Sequence, residues 1–581
     1  MGKMDKYIHH WLSGALVGLF LFYGSIVHAV ETPANKIGSA LHSKMENTTP
    51  GQVVKAWVFF TDKGIESGAG FAKSLASVEQ NLTQRVLDRR KRRGSLNRLV
   101  GNYDLPVFAP YIDSILSIDG VLKLRTTTKW LNGISVETES DAISSIAVRD
   151  FVESVKLVKT AYKRPLIYQE HQLPGFRKPA FSMNYGYSFD QLEQINVPLA
   201  HEMGFSGAGV RVLMVDTGYD TAHTFLSPER IVAEYDFIQD DSITTNQAGD
   251  HPAQDYHGTS TASVVGAAVD SFLYGPAYRC EFLLAKTEIY DQEIQVEEDY
   301  YVEALEWGEQ RGAEVVSSSL GYLDWYQFSD MDGNTAVTTR AVDRAIRLGV
   351  VVVTAAGNEN EEEWGHIIAP ADADSVISVG AVSSSGGIAS FSSRGPTYDR
   401  RIKPEVVARG LGTAAASSSG PKTYVSASGT SLSTPLVAGV AALIIEAHPN
   451  WSPMQIREAL MMTADNAEQP DNTYGWGLID AVAAINYSPQ TEPDSLIFTN
   501  NFPNPFRERT FIKYAIPGDY DFEEVSLDIY NIRGQKVAAF TNVCSDCFFR
   551  WEPGPNIPSG MYLYRVNAGN FTQTGKLLFV Q

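Results

Sequence analysis

Four short runs of apolar and β-branched residues stand out in the middle of the chain: Val210-Arg211-Val212-Leu213-Met214-Val215, Ala313-Glu314-Val315-Val316, Gly349-Val350-Val351-Val352-Val353-Thr354 and Ser375-Val376-Ile377-Ser378-Val379. Helical stretches separate them, and near-continuous apolar strands alternating with helices predict a parallel sheet covered on both faces, an α/β domain. Upstream the pattern changes. A strand candidate at Lys55-Ala56-Trp57-Val58-Phe59-Phe60, a charged helical stretch near 71–93, the segment Leu131-Asn132-Gly133-Ile134-Ser135-Val136-Glu137, a helix candidate at 141–149 and a strand candidate at 151–158 predict an α+β unit. Downstream of about residue 488 the polar, proline-bearing stretch Ser488-Pro489-Gln490-Thr491-Glu492-Pro493 gives way to alternating strands such as Val525-Ser526-Leu527-Asp528-Ile529, the pattern of a small β-sandwich. At the front, Lys3 and Lys6 precede the apolar run Leu12 to Val27, and Val27-His28-Ala29 offers a small-x-small cleavage site. That run is too short to span a bilayer, so it reads as an export signal. The expected organisation is a signal peptide at 1–29, an α+β domain and linker at 30–181, the α/β domain at 182–488, and a linker and β-sandwich at 489–581.

A length of 581 residues calls for several domains, and 44% hydrophobic with 20% charged residues excludes global disorder. The net charge of −21 makes a nucleic acid a poor partner. Its distribution matters more than its total. Residues 30–181 carry 22 Lys and Arg against 15 Asp and Glu, whereas residues 182–490 carry 15 against 42. Opposite charge of this size predicts that the two segments associate. Within the basic segment, the run Arg89-Arg90-Lys91-Arg92-Arg93 after Asp88 reads as a solvated helix face. Three cysteines exclude a disulfide scaffold and a cysteine-rich zinc protein. Cys544 and Cys547 are too few for a tetrahedral zinc site and read as a local disulfide, and Cys280 as a small buried hydrophobe.

In parallel sheets, functional groups gather past the carboxyl ends of strands. Asp216-Thr217-Gly218 follows the first run and Ala355-Ala356-Gly357-Asn358 the third, while His257-Gly258-Thr259 and Gly429-Thr430-Ser431 begin helical stretches. A hydroxyl, an imidazole to take its proton, a carboxylate to orient the imidazole and donors for an oxyanion are the components of nucleophilic acyl transfer. A Gly-x-Ser-x-Gly elbow does not account for them, because Ser433 holds the final glycine position and the acid precedes the His and the Ser.

The order Asp216, His257, Ser431 resembles that of the subtilisin-like serine proteases, the subtilases, over about residues 184–488. Asp216-Thr217-Gly218 with His223, His257-Gly258-Thr259 and Gly429-Thr430-Ser431 with Pro435 are similar to the family's motifs, as are Phe391-Ser392-Ser393-Arg394-Gly395-Pro396 and Ile402-Lys403-Pro404-Glu405. Ser260, Leu432, Ser433 and Arg409 depart from the usual pattern. The resemblance implies a secreted serine endopeptidase with Asp216, His257 and Ser431 as triad, Asn358 in the oxyanion hole, and Ser319, Leu320 and Gly321 pairing with a protein or peptide substrate. No cofactor is needed for the chemistry. Structural calcium is allowed, with Asp240, Asp241 and Glu361 to Glu363 as acidic runs, although a solvated acidic face also accounts for them.

Residues 30–181 resemble the family's pro-domain, which implies an intramolecular inhibitor cut away within about 163–185. In the tail, Asn504-Pro505-Phe506, Tyr530-Asn531-Ile532-Arg533-Gly534, Ser559-Gly560-Met561-Tyr562 and Lys576-Leu577-Leu578-Phe579 resemble the C-terminal sorting domain of type IX secretion. That implies secretion machinery as a partner and a secreted or cell-surface location reached through the periplasm of a Gram-negative bacterium. The alternative reading is a catalytically silent binding or adhesion protein at the surface, built on the same scaffold.

Overall fold

The computed structural model of the chain describes residues 36–580 apart from 47–50, 66–67, 95–98, 159–172, 174–180, 291–295, 324–325, 490–497, 503, 508, 516–524, 543–545, 555–556 and 569–570. The export signal, most of the 163–185 linker and the Cys544 end of the expected disulfide lie outside the described residues.

The basic front segment is an α+β unit. Strand β1 (Val53–Phe60), helix α1 (Gln84–Arg93) and strands β2 (Val121–Thr128), β3 (Gly133–Glu139) and β4 (Val152–Val158) are its main elements, and the strands form an antiparallel sheet in the order β2-β3-β1-β4. The period-two geometry of a strand sends Val54, Ala56, Val58 and Phe60 into the unit's own core and Trp57 and Phe59 to the opposite face. The single charged stretch expected near 71–93 is two helices, Gly68–Asn81 and α1. Thr83 separates them by accepting the Val86 N–H as the N-cap of α1 at 3.4 Å.

Seven parallel strands make the central sheet: β5 (Arg211–Asp216), β6 (Ile231–Asp236), β7 (Glu281–Lys286), β8 (Val315–Ser318), β9 (Val351–Ala355), β10 (Ile377–Val382) and β11 (Val406–Arg409), in the order β11-β10-β9-β8-β5-β7-β6. Every residue of β8 to β11 is buried, as the continuous apolar runs predict. Helices α2 (Tyr256–Gly266) and α5 (Thr430–Ala447) cover one face. Helices α3 (Val296–Gln310) and α4 (Val337–Arg347) cover the other. Helix α5 is apolar enough to cross a membrane by composition, but 89% of it is buried as the core helix of this domain.

The pro-domain-like unit docks on α3 and α4. Trp57, Phe59, Tyr103, Trp130 and Leu131 share one apolar cluster with Tyr301, Leu305, Val342 and Ile346. Around it the charges are paired rather than solvated, which corrects the reading of Arg89 to Arg93: Arg89, Arg90 and Arg93 are at most 1% exposed, and only Lys91 and Arg92 face solvent. Arg90 takes Asp104 bidentately at 2.8 and 2.9 Å and Glu309 at 2.8 Å, while Arg89 also pairs with Glu309. Arg93 reaches Glu314 at 3.1 Å, and Arg125 on β2 reaches Asp299 at 2.9 Å. Arg89 further donates to the carbonyls of Leu348, Glu309 and Ala313, which lie at and just beyond the C-terminal ends of α4 and α3, where helices lack internal partners. Burial pushes the Glu309 carboxyl up, but Arg90 and Arg89 outweigh it and hold it at about 2.

The tail forms two antiparallel sheets, Phe498–Phe502 with Thr510–Ala515 and Asp546–Trp551, and Lys536–Asn542 with Val525–Asn531, Gly560–Ala568 and Phe571–Phe579. Phe506, Ile512, Phe549 and Trp551 meet Leu527, Ile529, Tyr564 and Leu577 between them. This is a β-sandwich.

Candidate active site

Asp216 is the last residue of β5 and His257 lies in the first turn of α2. The Asp216 Oδ1 and His257 Nδ1 atoms are 2.5 Å apart, and both side chains are fully buried. The carboxylate is held from three directions: Oδ1 also accepts the Thr217 N–H at 2.7 Å, and Oδ2 accepts the Thr261 hydroxyl at 2.9 Å. Thr261 was not singled out from the sequence. Its signal is spacing, since it stands four residues after His257 and so shares a helical face with it. A strand end and a helix start come this close only because position 258 is glycine: a Cβ there would stand 2.2 Å from the Gly218 carbonyl oxygen.

Ser431 is the second residue of α5 and is 5% exposed. Pro435 sits four residues on and has no N–H, so the Ser431 carbonyl lacks its helical partner. The Ser319 hydroxyl supplies one at 2.9 Å, and the Ser431 hydroxyl in turn donates to the Ser319 carbonyl at 3.3 Å. This reciprocal pair ties the segment after β8 to the start of α5. Helices α5 and α2 pack against each other, and because β5 and β8 run parallel, the His257 turn bonded to Asp216 and the Ser431 turn bonded to Ser319 lie at the same end of the sheet.

Asn358 follows β9. Its Oδ1 accepts the Thr430 N–H at 2.9 Å and the Thr430 hydroxyl at 3.0 Å, which fixes the amide and frees its nitrogen end to face elsewhere. Gly429, at φ +150°, precedes this turn. A Cβ placed there would lie 3.7 Å from both the Asn358 Nδ2 and the Ser431 backbone nitrogen, so two N–H donors flank a space that the missing side chain leaves open. A developing oxyanion needs such convergent donors.

Ser319, Leu320, Gly321, Gly357, Asn358, Thr430 and Ser431 border one cavity of about 610 Å³. The structure thus brings together the expected Ser319 to Gly321 segment, Asn358 and Ser431, and separately bonds Asp216 to His257. The unusual positions are accommodated without disturbing these contacts. Ser260 donates to the Ala416 carbonyl at 2.8 Å, Ser433 to the Thr430 carbonyl at 2.9 Å, Leu432 is buried in the core, and Arg409 closes β11. His223 is held between the Phe225 N–H and the Thr423 carbonyl, and burial lowers its pKa.

The acidic runs do not fit a metal. Asp240 accepts the Tyr235 hydroxyl, Asp241 accepts from the Ile243 N–H at 2.8 Å and the Gln247 amide at 3.3 Å, and Glu361 to Glu363 are exposed. Among the described residues, no three His, Cys, Asp or Glu side chains are grouped to hold an ion. Nearby, the buried Lys286 ammonium bridges Asp236 and Asp250 at 2.7 Å each. Cys280 is buried, its thiol pushed up by burial.

Comparison with known proteins places three matches along the chain. Residues 207–477 match the subtilase family, 55–172 the peptidase S8 propeptide domain of Bacteroidota, and 500–581 the secretion system C-terminal sorting domain. Subtilisin E of Bacillus subtilis is 32% identical over 333 residues, which cover 57% of this chain and 78% of that protein. Subtilisin DY of Bacillus licheniformis is 36% identical over 282 residues, 48% of this chain and 92% of that one. Among solved structures, fervidolysin from Fervidobacterium pennivorans, a keratinolytic enzyme related to subtilisin, shares the fold with a TM-score of 0.54 at 21% identity, covering 89% of this chain and 70% of that one.

Proposed function

Since the chain belongs to the subtilase family of serine endopeptidases, with a Bacteroidota S8 propeptide and a secretion sorting tail, we propose that Asp216, His257 and Ser431 are its catalytic triad and that it acts through an acyl-enzyme. The Ser431 Oγ leaves its contact with Ser319 and attacks the scissile carbonyl carbon, while His257 Nε2 takes the hydroxyl proton. The C–N bond then breaks, and His257 returns the proton to the leaving amine. Water, deprotonated by the same imidazole, attacks the ester and releases the acid and Ser431. Asp216 holds His257 in the tautomer with a proton on Nδ1 and stabilises the imidazolium as it forms. Asn358 Nδ2 and the Ser431 N–H take the oxyanion, and the substrate lies extended along Ser319 to Gly321. The 2.5 Å contact between Asp216 and His257 at a strand end carries this reading.

The domain limits follow: a signal at 1–29, pro-domain and linker at 30–181, the peptidase at 182–488 and the sorting region at 489–581. The pro-domain inhibits the enzyme until it cuts itself free within the 163–185 linker, and the tail delivers the protein outside the cell or to its surface by type IX secretion. The chemistry needs no cofactor.

Intact-mass analysis of the purified protein beside Ser431→Ala, each assayed on casein with and without a serine-directed covalent inhibitor, tests the proposal. Loss of the front segment and inhibitor-sensitive cleavage are expected in the parent alone, with turnover down about 10⁶-fold in the variant, a size taken from subtilisin itself. A parent that folds, stays full length and leaves casein intact would instead identify a silent surface homologue.

A further inference from the structure

Beside the Asp216–His257 pair lies a buried charge group that the proposed chemistry leaves unused. Lys286 is the last residue of β7, in register with Asp216 at the end of β5 and with Asp236 at the end of β6. Val212 and Met214 of β5 and Phe282 and Leu284 of β7 belong to the cluster under α2, and the period of two along a strand puts Asp216 and Lys286 on that same face. The Lys286 ammonium is fully buried and bonds Asp236 and Asp250 at 2.7 Å each. Asp236 also accepts the Ile238 and Gln239 N–H groups at 2.8 and 3.0 Å, and Asp250 the Gln247 N–H at 2.9 Å. Further along the chain the Gln254 side chain, 2% exposed, joins the same strand ends. Its Nε2 donates to the Thr217 carbonyl at 2.6 Å and to the Glu288 carbonyl at 2.5 Å, and its Oε1 accepts the Tyr290 N–H at 2.9 Å. Thr217 directly follows Asp216, and Glu288 lies just past Lys286. The chain leading into α2 is therefore clamped at Asp250 and at Gln254, just before His257.

We infer that Lys286 and Gln254 are positioning residues for His257: they fix the chain entering α2 against the ends of β5 and β7, and the Lys286 ammonium balances the carboxylates beside the imidazole. The inference rests on the proposed role of His257 as the base. Placement is the first part of the argument. Gln254 ties the residue after Asp216 to the chain that carries His257, so the two members of the pair cannot drift apart independently. A displacement of about 1 Å in a reacting group can cost about 10²-fold in rate. Charge is the second part. A carboxylate near an imidazole favours its protonated form and an ammonium disfavours it, more strongly in a buried site than in water. Asp216 supplies the charge that a transient imidazolium needs. Asp236 and Asp250, about one to two strand spacings of 4.7–4.9 Å away, add to it and would hold the proton on the base, and Lys286 offsets them. The other ionisable groups at this end of α2 are Tyr219 and Asp220 after β5, His251 and Asp255 in the entering chain, and Glu288 after β7.

The test uses the matured protein, with active sites counted by a serine-directed phosphonate and kcat and KM of one peptide substrate followed across the acid limb of the pH profile, where the free enzyme's base titrates. Gln254→Met should lower kcat per labelled site at least about tenfold, with KM within about twofold of the parent. Asp250→Asn removes a carboxylate and keeps the ammonium, so the acid limb of kcat/KM should move down by about half a pH unit. Lys286→Met removes the ammonium and should move it up by about as much, whereas Lys286→Arg keeps the charge and should keep the limb in place. Asp250→Asn and Gln254→Met keep the test decisive if Lys286→Met folds poorly. Labelled sites that retain the parent's kcat in Gln254→Met, or an acid limb that stays put or moves in the same direction in Asp250→Asn and Lys286→Met, would overturn the inference and leave the catalytic proposal standing. Loss of activity confined to a smaller number of labelled sites would overturn it too, because the clamp would then serve folding alone. A folded parent that takes up no phosphonate would overturn both.

Discussion

Two small domains flank the peptidase, and they relate to it in opposite ways. The N-terminal one contributes Trp57, Phe59, Tyr103, Trp130 and Leu131 to a cluster that also holds Tyr301, Leu305, Val342 and Ile346 of the peptidase. Among the described residues, the C-terminal sandwich draws its buried cluster from 506–579 alone. A domain that shares a core with its neighbour unfolds with it, whereas a domain that closes its own core is a separate cooperative unit. The pro-domain is thus built as part of the zymogen, and the sorting domain as cargo tag.

The largest blow to that contrast should come from Arg90. Its guanidinium is fully buried between Asp104 of its own domain and Glu309 of the peptidase. Arg90→Met leaves both carboxylates in place, and breaking one partner out of a buried charge group costs about 3–5 kcal/mol. Calorimetry of the full-length Ser431→Ala zymogen should register that loss. Lys91→Ala, one residue along but exposed, should change stability by no more than about 0.5 kcal/mol. Equal effects would mean that the interface is held by its apolar cluster and that the charges only orient it.

This interface also marks where the sequence was legible and where it was not. The opposite net charges of the two segments point to an association, and the motifs around Asp216, His257 and Ser431 point to the candidate site. Each motif is a contiguous string at a strand end or helix start, so its local chemistry is visible without a fold. The arginine run was misread because the groups that pay for its burial, Glu309 and Glu314, lie over 200 residues away.

A smaller effect should appear on changing pH. Glu303 lies on α3, the helix that faces β2 of the pro-domain. Burial raises its pKa from 4.5 to about 8, and the neighbouring Asp299, Glu306 and Asp240 add to the rise. The native zymogen therefore holds a proton that the unfolded chain releases. The stabilisation is complete below about pH 4.5 and is lost as pH rises through about 8. Glu303→Gln should flatten the fall in melting temperature across that window, measured in the Ser431→Ala background. A slope unchanged by the substitution would place the pH sensitivity in other groups of the interface.

The smallest expected effect is the one that most sharpens the contrast. Deleting residues 489–581 should leave the melting temperature of the pro-domain and peptidase transition where it is, because among the described residues the buried cluster of the sandwich includes none before Phe506. In the full-length zymogen the sandwich should then melt as a separate transition, absent after the deletion. Trp551→Ala, which opens a cavity against Phe506 and Tyr562, should move that transition alone, by about 3–5 kcal/mol. If the deletion instead lowers the main transition, the tail braces the peptidase as the pro-domain does. Its removal after export would then weaken the enzyme, and sorting and stability could not be treated as separate properties of the chain.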